Sequence, residues 1–236
     1  MRSDTEGETL RSATVERDDA IEIVVAGLAA SPAAVRTAAL LLSEAERRRA
    51  ARFTCGADAR RFILGRSRLR QLLGARLGVR PESVQLTYGA CGKPALANAG
   101  RCALRFNLSH RDDLAVYAFS PGREVGIDVE AIRPLPEADT LAARFFSRRE
   151  HAAYRALRPC DRALGFFQCW TRKEAFVKAL GEGLSHPLDS FDVSLAPGAP
   201  AELLRVETAT ADDRSWSLAS FSPAPGFVAA VAAEER

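Results

Sequence analysis

One order of elements runs twice along this sequence, and any fold has to accommodate both copies. Ser43-Glu44-Ala45-Glu46 opens a helix with Ser43 as N-cap and Glu46 three residues on, so that each side chain can accept the other residue's backbone N–H. Ser147-Arg148-Arg149-Glu150 repeats the pattern. A long helical segment follows each box: residues 57–77, interrupted or ended by Gly74 and Gly78, and residues 161–180, ended by Gly181 and Gly183. A strand precedes each box, at 21–25 and at 124–130. Short β-rich segments close each half, at 84–88, 102–108 and 114–119, then at 191–195, 203–207, 216–221 and 227–232. The strands at 102–108 and 114–119 are expected to join through Ser109-His110-Arg111-Asp112-Asp113.

The repetition extends to residue types. FILGRSRLRQLLGARLG, from Phe62, and FFQCWTRKEAFVKALGEG, from Phe166, both carry aromatics, a Ser/Thr-Arg pair and an apolar stripe ending in Leu-Gly. Two generic amphipathic helices would share as much. Taken with the matching element order, the similarity predicts an α+β fold of two similar halves, residues 20–122 and 123–236, behind a disordered leader of residues 1–19. A junction of that kind is a natural place for a cleft.

Composition narrows the setting. At 236 residues each half can bury a core. No apolar run approaches the roughly 20 residues that span a bilayer, and Met1-Arg2-Ser3-Asp4-Thr5-Glu6 lacks the layout of a signal peptide, so a cytoplasmic protein is expected. Cys55, Cys91, Cys102, Cys160 and Cys169 are odd in number and lack zinc-site spacing, which predicts free thiols. A net charge of +3 is too mild to imply nucleic acid. Of 33 basic residues only Lys93, Lys173 and Lys178 are lysine. Where lysine survives so strong an arginine bias, a compact ammonium is the feature to look for.

Several residues could carry chemistry. Asp128 and Glu130 lie two apart on the 124–130 strand, so both carboxylates point to one face with Cα atoms about 6–7 Å apart. Like charges placed so repel unless a cation or a paired arginine neutralises them; a solvated edge strand with two acids is the plain alternative. In the 161–180 helix Phe166, Cys169, Trp170, Phe176, Val177 and Leu180 form one stripe at helical spacing. Lys173 lands inside that stripe, where a charge is costly unless it meets an anion. Glu174 and Lys178, four apart at the edge of the stripe, are either an ion pair worth a few tenths of a kcal/mol or two charges on a cleft rim. Gly92-Lys93-Pro94 is a tight basic loop, and Asn107-Leu108-Ser109-His110 ends a strand with an amide, a hydroxyl and an imidazole together. Arg47, Arg49, Arg60 and Arg61 form a solvated face or a further set of anion contacts.

In order along the chain the segments read GKPAL, FNLSH, VGIDVE, RFFSRREH, WTRKEAFVKALGEGL and PLDSFDV. This series resembles the Sfp-type 4′-phosphopantetheinyl transferases from about residue 42 to the end. The resemblance implies a pseudo-twofold pair of α+β halves with coenzyme A between them. It implies Mg²⁺, replaceable by Mn²⁺, held by Asp128, Glu130 and Glu174 together with the coenzyme A diphosphate. Lys178 would contact the phosphates, Lys93 and Pro94 would line the nucleotide side, and Ser109 and His110 would hold phosphates. Arg61 would meet the 3′-phosphate, with Arg49 at a basic position nearby. Lys173 falls between phosphate contact and salt bridge to the acids. Arg111 stands where the family often has a small hydroxyl residue.

The implied reaction moves 4′-phosphopantetheine from coenzyme A to a serine of an apo acyl or peptidyl carrier protein, releasing adenosine 3′,5′-bisphosphate. Glu174 and Lys178 are its expected catalytic residues, with Glu174, directly or through a water, as the base. Carrier proteins are usually acidic around that serine, so a basic, partly apolar groove is expected; Arg144, Arg148 and Arg149 either contribute to it or make a solvated helix start. A monomer is implied, with no nucleic-acid or membrane partner. Two rival classes fit parts of the sequence. An arginine-rich nucleic-acid binder would bind with steep salt dependence and leaves the three acids unexplained. An Mg²⁺-dependent hydrolase of diphosphates would consume coenzyme A without a carrier.

Overall fold

The computed structural model describes residues 11–15, 21–97, 103–183, 186–206 and 214–235, the first of these segments by its backbone alone. After β1 (Arg11–Val15), one half runs β2 (Ile21–Gly27), α1 (Pro32–Ala39), α2 (Glu44–Ala50), α3 (Gly56–Leu77), β3 (Leu86–Tyr88), β4 (Pro94–Leu96), β5 (Leu104–Arg111) and β6 (Leu114–Pro121). The other runs β7 (Val125–Ala131), α4 (Ala138–Phe145), α5 (Arg148–Ala156), α6 (Pro159–Leu180), β8 (Phe191–Val193), β9 (Leu203–Val206), β10 (Trp216–Phe221) and β11 (Phe227–Glu234). From β2 and from β7 the two series correspond element for element, including a short 3₁₀ turn after each long helix, at Pro81–Ser83 and Leu188–Ser190.

The sheets correspond as well. One is ordered β1-β2-β6-β5 and the other β10-β11-β7, with antiparallel neighbours throughout. Side chains alternate across each sheet. Ile23, Val25, Val116 and Ala118 on one inner face meet Val125, Ile127, Val129, Ala229, Val231 and Ala233 on the other in one shared cluster. The outer face of the first sheet, with Val24, Ala26, Tyr117 and Phe119, packs under Leu69 and Leu73 of α3. Val228, Ala230 and Ala232 on the second pack with Phe166, Ala175, Phe176 and Ala179 of α6. The layers are therefore helix, sheet, sheet, helix. β5 and β7 are each the last strand of their sheet, and they lie close alongside one another.

The repeat is also kept in buried polar contacts. Both capping boxes form, and the glutamate of each also faces a cation from the following long helix: Arg70 Nε stands 2.7 Å from Glu46 Oε2, and Lys173 Nζ 2.8 Å from Glu150 Oε2. Arg70 lies seven residues before the last residue of α3 (77 − 70) and Lys173 seven before that of α6 (180 − 173). Each also donates to carbonyls at the turn beyond: Arg70 to Pro81 and Val84, Lys173 to Leu188 at 2.6 Å and Phe191 at 2.7 Å. Lys173 is 1% exposed, and its three N–H groups face three acceptors. The expectation that it reaches a phosphate or the cleft acids is corrected. Its anion is Glu150, which also accepts the backbone N–H groups of Ser147 and Val193.

Other expectations shift locally. The leader read as disordered contributes β1, which pairs with β2 from Arg11↔Val25 to Val15↔Ile21 and so covers an edge that would expose unpaired backbone groups. Residues 1–10 and 16–20 lie outside the described residues, as does Cys102. Ser109, His110 and Arg111 are paired strand residues rather than a loop, and the turn is confined to Asp112, at φ 52°, and Asp113. α3 runs through Gly74 and stops at Gly78. A side chain at Gly74 would meet the Val79 carbonyl oxygen at 2.7 Å, so glycine there lets the chain double back beside its own helix. α6 carries no simple stripe: Phe167, Thr171, Arg172 and Lys173 are buried along with Phe166, Cys169, Phe176 and Val177, while Trp170 and Leu180 of the predicted stripe are half-buried, because β7, β11, α4, α5 and β8 all pack against it.

Candidate active site

Gly126 brings the site together. It sits on the outer face of β7, and a Cβ there would lie 2.1 Å from the Ala175 carbonyl oxygen and 2.3 Å from the Ala179 backbone nitrogen. Only glycine lets the backbone of α6 lie this close to β7. Asp128 is two residues further along the same face, and Lys178 projects from the helix directly above. The result is a contact of 2.6 Å between Lys178 Nζ and Asp128 Oδ1. Ser109 on β5 completes the group: its Oγ donates to Asp128 Oδ1 at 2.8 Å and accepts from Lys178 Nζ at 3.2 Å. Lys178 thus reaches across to β7, and no ion pair forms between it and Glu174 four residues earlier in the helix.

Three carboxylates share this neighbourhood. Burial pushes the Glu174 carboxyl pKa upward; Lys178 opposes the shift and the charge of Asp128 adds to it. Burial likewise raises Glu130, with Arg111 opposing and Asp128 adding. Arg111 lies 3.3 Å from Glu130 Oε2, so the residue that departs from the family pattern partly neutralises one acid. Asp128 Oδ2 is buried and has no hydrogen-bond partner among the described residues. Among the described residues no three carboxylates, histidines or cysteines yet form a group able to hold a metal ion. The donor set nevertheless suits a hard divalent cation: an orphaned carboxylate oxygen, and two further carboxylates whose charges are disfavoured as they stand.

The cleft between the halves is a cavity of about 290 Å³ lined by Lys93, Pro94, Asn107, Glu174, Val177 and Lys178, among others. Glu174 and Val177 also line a neighbouring cavity of about 210 Å³ with Arg144, Phe145 and Pro187. Lys93 crosses from one half to the other. Its Nζ donates to the Ala179 carbonyl at 3.0 Å, near the C-terminus of α6 where a cation is favoured, and pairs with Glu124 at 3.1 Å. Pro94 opens β4 and is buried beside it. His110 follows Ser109 at the exposed end of β5.

The predicted arginines stand further out. Arg61 is tied to Asp113 at 3.0 Å and to Asp58 at 3.3 Å. Arg49 lies over the Phe62 ring, 5.2 Å from its centroid, and lines a surface cavity of about 560 Å³ with Arg48, Arg52 and Phe53. Gly126, which brings the site together, could not be picked out from the sequence. The contact role of Gly126 has no sequence signal beyond being a glycine between apolar strand residues.

Comparison with known proteins gives two family matches. Residues 124–232 match the model of the 4′-phosphopantetheinyl transferase superfamily, and residues 29–122 match that of the N-terminal region of 4′-phosphopantetheinyl transferases. The chain is 42% identical to the 4′-phosphopantetheinyl transferase HetI of Nostoc sp., over 82% of this chain and 79% of that protein. It is 39% identical to the 4′-phosphopantetheinyl transferase AcpT of Salmonella typhimurium, over 66% of this chain and 74% of that one. It is 31% identical to the 4′-phosphopantetheinyl transferase Sfp of Bacillus subtilis, over 65% of this chain and 66% of that one.

Proposed function

We propose a reaction from one premise: this chain belongs to the 4′-phosphopantetheinyl transferase superfamily. It transfers the 4′-phosphopantetheine arm of coenzyme A to a serine of an apo acyl or peptidyl carrier protein and releases adenosine 3′,5′-bisphosphate. The observation that carries this reading is the Lys178–Asp128–Ser109 cluster beside Glu174, at a cleft with one wall from each half.

In this reading the serine Oγ attacks the β-phosphorus of coenzyme A. A new O–P bond forms, the bond from that phosphorus to the bridging oxygen breaks, and the serine proton goes to Glu174, directly or through a water. Burial, which raises the Glu174 pKa, makes its carboxylate a better proton acceptor. Lys178, Ser109 and His110 bind phosphate oxygens, and Lys178 stabilises charge on the leaving diphosphate side. Asp128, Glu130 and Glu174 would hold Mg²⁺, which when bound draws charge from the diphosphate; the free Oδ2 of Asp128 supports that assignment. Lys93, Pro94, Arg61 and Arg49 are proposed on the nucleotide side.

Both walls of the cleft come from one chain, which supports a monomer. No helix among the described residues is long and apolar enough to cross a membrane, and together with a coenzyme A substrate this supports a cytoplasmic site of action. The test is to incubate the protein with coenzyme A, Mg²⁺ and an apo carrier domain. The carrier should gain the mass of one phosphopantetheine on serine, and Glu174→Gln and Asp128→Ala should abolish the gain while each variant stays folded. Near-normal transfer by either variant would sink the site assignment; consumption of coenzyme A without carrier labelling would favour a hydrolase.

A further inference from the structure

The two halves part company at one link. Between the long helix and the 3₁₀ turn the first half needs three residues, 78–80, and the second takes seven, 181–187. The longer link carries polar ties of its own. His186 is 4% exposed and lies between Phe176 and Phe191, with ring centroids 6.5 and 5.5 Å away. Its Nδ1 stands 2.8 Å from Glu182 Oε2 and its Nε2 3.3 Å from Ser190 Oγ, which donates to the Pro187 carbonyl at 2.7 Å. A carboxylate only accepts, so Nδ1 carries a hydrogen and donates it to Glu182. Cys91 of the first half meets the same link, its Sγ donating to the Glu182 carbonyl at 2.9 Å. Two residues before the 3₁₀ turn, where the second half has His186, the first half has Val79, 44% exposed. A half of this fold therefore closes without a histidine there.

The link faces the reaction. His186, Pro187, Leu188 and Asp189 line the smaller cavity beside Glu174, whereas Lys93, Pro94 and Lys178 line the larger one. In the transfer reading the nucleotide leaves on the Lys93 side. Attacking and leaving oxygens stand roughly in line across the phosphorus. The carrier serine therefore comes in from the side away from the nucleotide, through the smaller cavity. Glu174 borders both cavities, as a group that takes the serine proton must.

We propose that Glu182 and His186 are positioning residues for the acceptor: their contact holds Pro187–Asp189 as the wall against which a serine-bearing segment of the carrier seats. The inference rests on the transfer reading above and deepens its acceptor side; neither residue touches the reacting atoms. Lys173 fixes the far end of that wall through the Leu188 and Phe191 carbonyls, as Arg70 does at the corresponding turn of the other half. The Glu182–His186 contact fixes the near end, and it belongs to the longer link of the half that carries Glu174 and Lys178.

The test separates the acceptor side from the nucleotide side. The Glu182 side chain is 48% exposed, so Glu182→Ala removes the tie without opening the core; Glu182→Gln keeps an acceptor for Nδ1. Labelling rates over a range of apo carrier concentrations should show a KM for the carrier about tenfold higher in Glu182→Ala. Its kcat should stay near the wild-type value, and Glu182→Gln should restore most of the lost KM. Calorimetric titration should give all three proteins the same Kd for coenzyme A. A wild-type carrier KM in Glu182→Ala overturns the proposal, and so does a matching loss of coenzyme A affinity, which would put the effect on the nucleotide side. A lower melting temperature with an unchanged KM makes the contact purely structural and overturns it as well. A wild-type protein that labels no carrier sinks the transfer reading, and this assignment with it. Normal labelling with no response to Glu182→Ala sinks only the assignment.

Discussion

Gly126→Ala offers a sharp test of how the cleft is assembled. The added Cβ would lie 2.1 Å from the Ala175 carbonyl oxygen, 2.3 Å from the Ala179 nitrogen and 2.8 Å from the Lys178 carbonyl carbon, where real Cβ atoms essentially never come under 3.0 Å. All three are helix backbone, so no rotamer change relieves the clash. α6 must lift from β7 by about 1 Å, the gap between 2.1 and 3.0 Å. Overpacking of this kind costs about 1–3 kcal/mol, which in a chain of this size lowers the melting temperature by roughly 2–12 °C. The larger effect is on the site. The lift falls beneath Lys178, whose 2.6 Å contact with Asp128 would open, and a misplacement of about 1 Å can cost about a hundredfold in rate. Turnover should be followed by carrier labelling at saturating coenzyme A, with melting temperature measured alongside. Gly27→Ala is the control: a Cβ there meets nothing within 4 Å, and it should behave as wild type. Wild-type turnover and stability in Gly126→Ala would refute the claim that helix–strand contact at this glycine sets the site, and so would an equal loss in Gly27→Ala.

Lys173→Met should destabilise the protein by about 3–5 kcal/mol, because it strands the buried carboxylate of Glu150; the double variant Lys173→Met/Glu150→Gln should recover part of that, as read by urea titration, and no recovery would argue against the pair. The Arg205 hydrogen bonds hold the Asp192 carboxyl below its ordinary range although burial opposes them. A depressed folded pKa gives stability that is complete above the unfolded value of about 3.9 and lost as pH falls through the folded value. Thermal melts from about pH 5 down to 3 should therefore fall more steeply for the wild type than for Asp192→Asn; parallel slopes would count against it. Cys91 is exposed on the cleft wall. Its alkylation should slow transfer and coenzyme A should protect it, and Cys91→Ser should remain active and insensitive to the reagent; an equal loss of activity in reagent-treated Cys91→Ser would place the effect elsewhere.

Elements with a local signature were legible in the sequence. The capping boxes at Ser43 and Ser147 form as read, because everything they need lies within four residues. The long helices end at Gly78 and Gly181, both left-handed, as their glycines announce. Non-local contacts were not legible. β1 is defined by the edge it covers, and the partners of Lys178, Lys93 and Asn107 lie 50, 31 and 20 residues away in the chain. The sequence pattern could say that Lys173 needed an anion but not which one, since both Glu150 and the cleft acids were available.

The internal repeat resolves that ambiguity through residue positions alone. Counting back from the final leucine of each long helix, Lys173 falls opposite Arg70: both positions carry a cation, and both cations meet the glutamate of the preceding capping box. A charge kept in both copies serves what both copies do, which is to bury an α+β core. Glu174 lies six residues before its helix end (180 − 174) and Lys178 two before it (180 − 178), so their counterparts are Gln71 (77 − 6) and Ala75 (77 − 2), neither of them charged. Charges present in only one copy are not needed to build the half. They stand where α6 crosses β7, and the other half meets Lys178 there with Ser109. Subtracting one copy from the other therefore separates scaffold from site: it removes Lys173 from the cleft and leaves Glu174 and Lys178 in it.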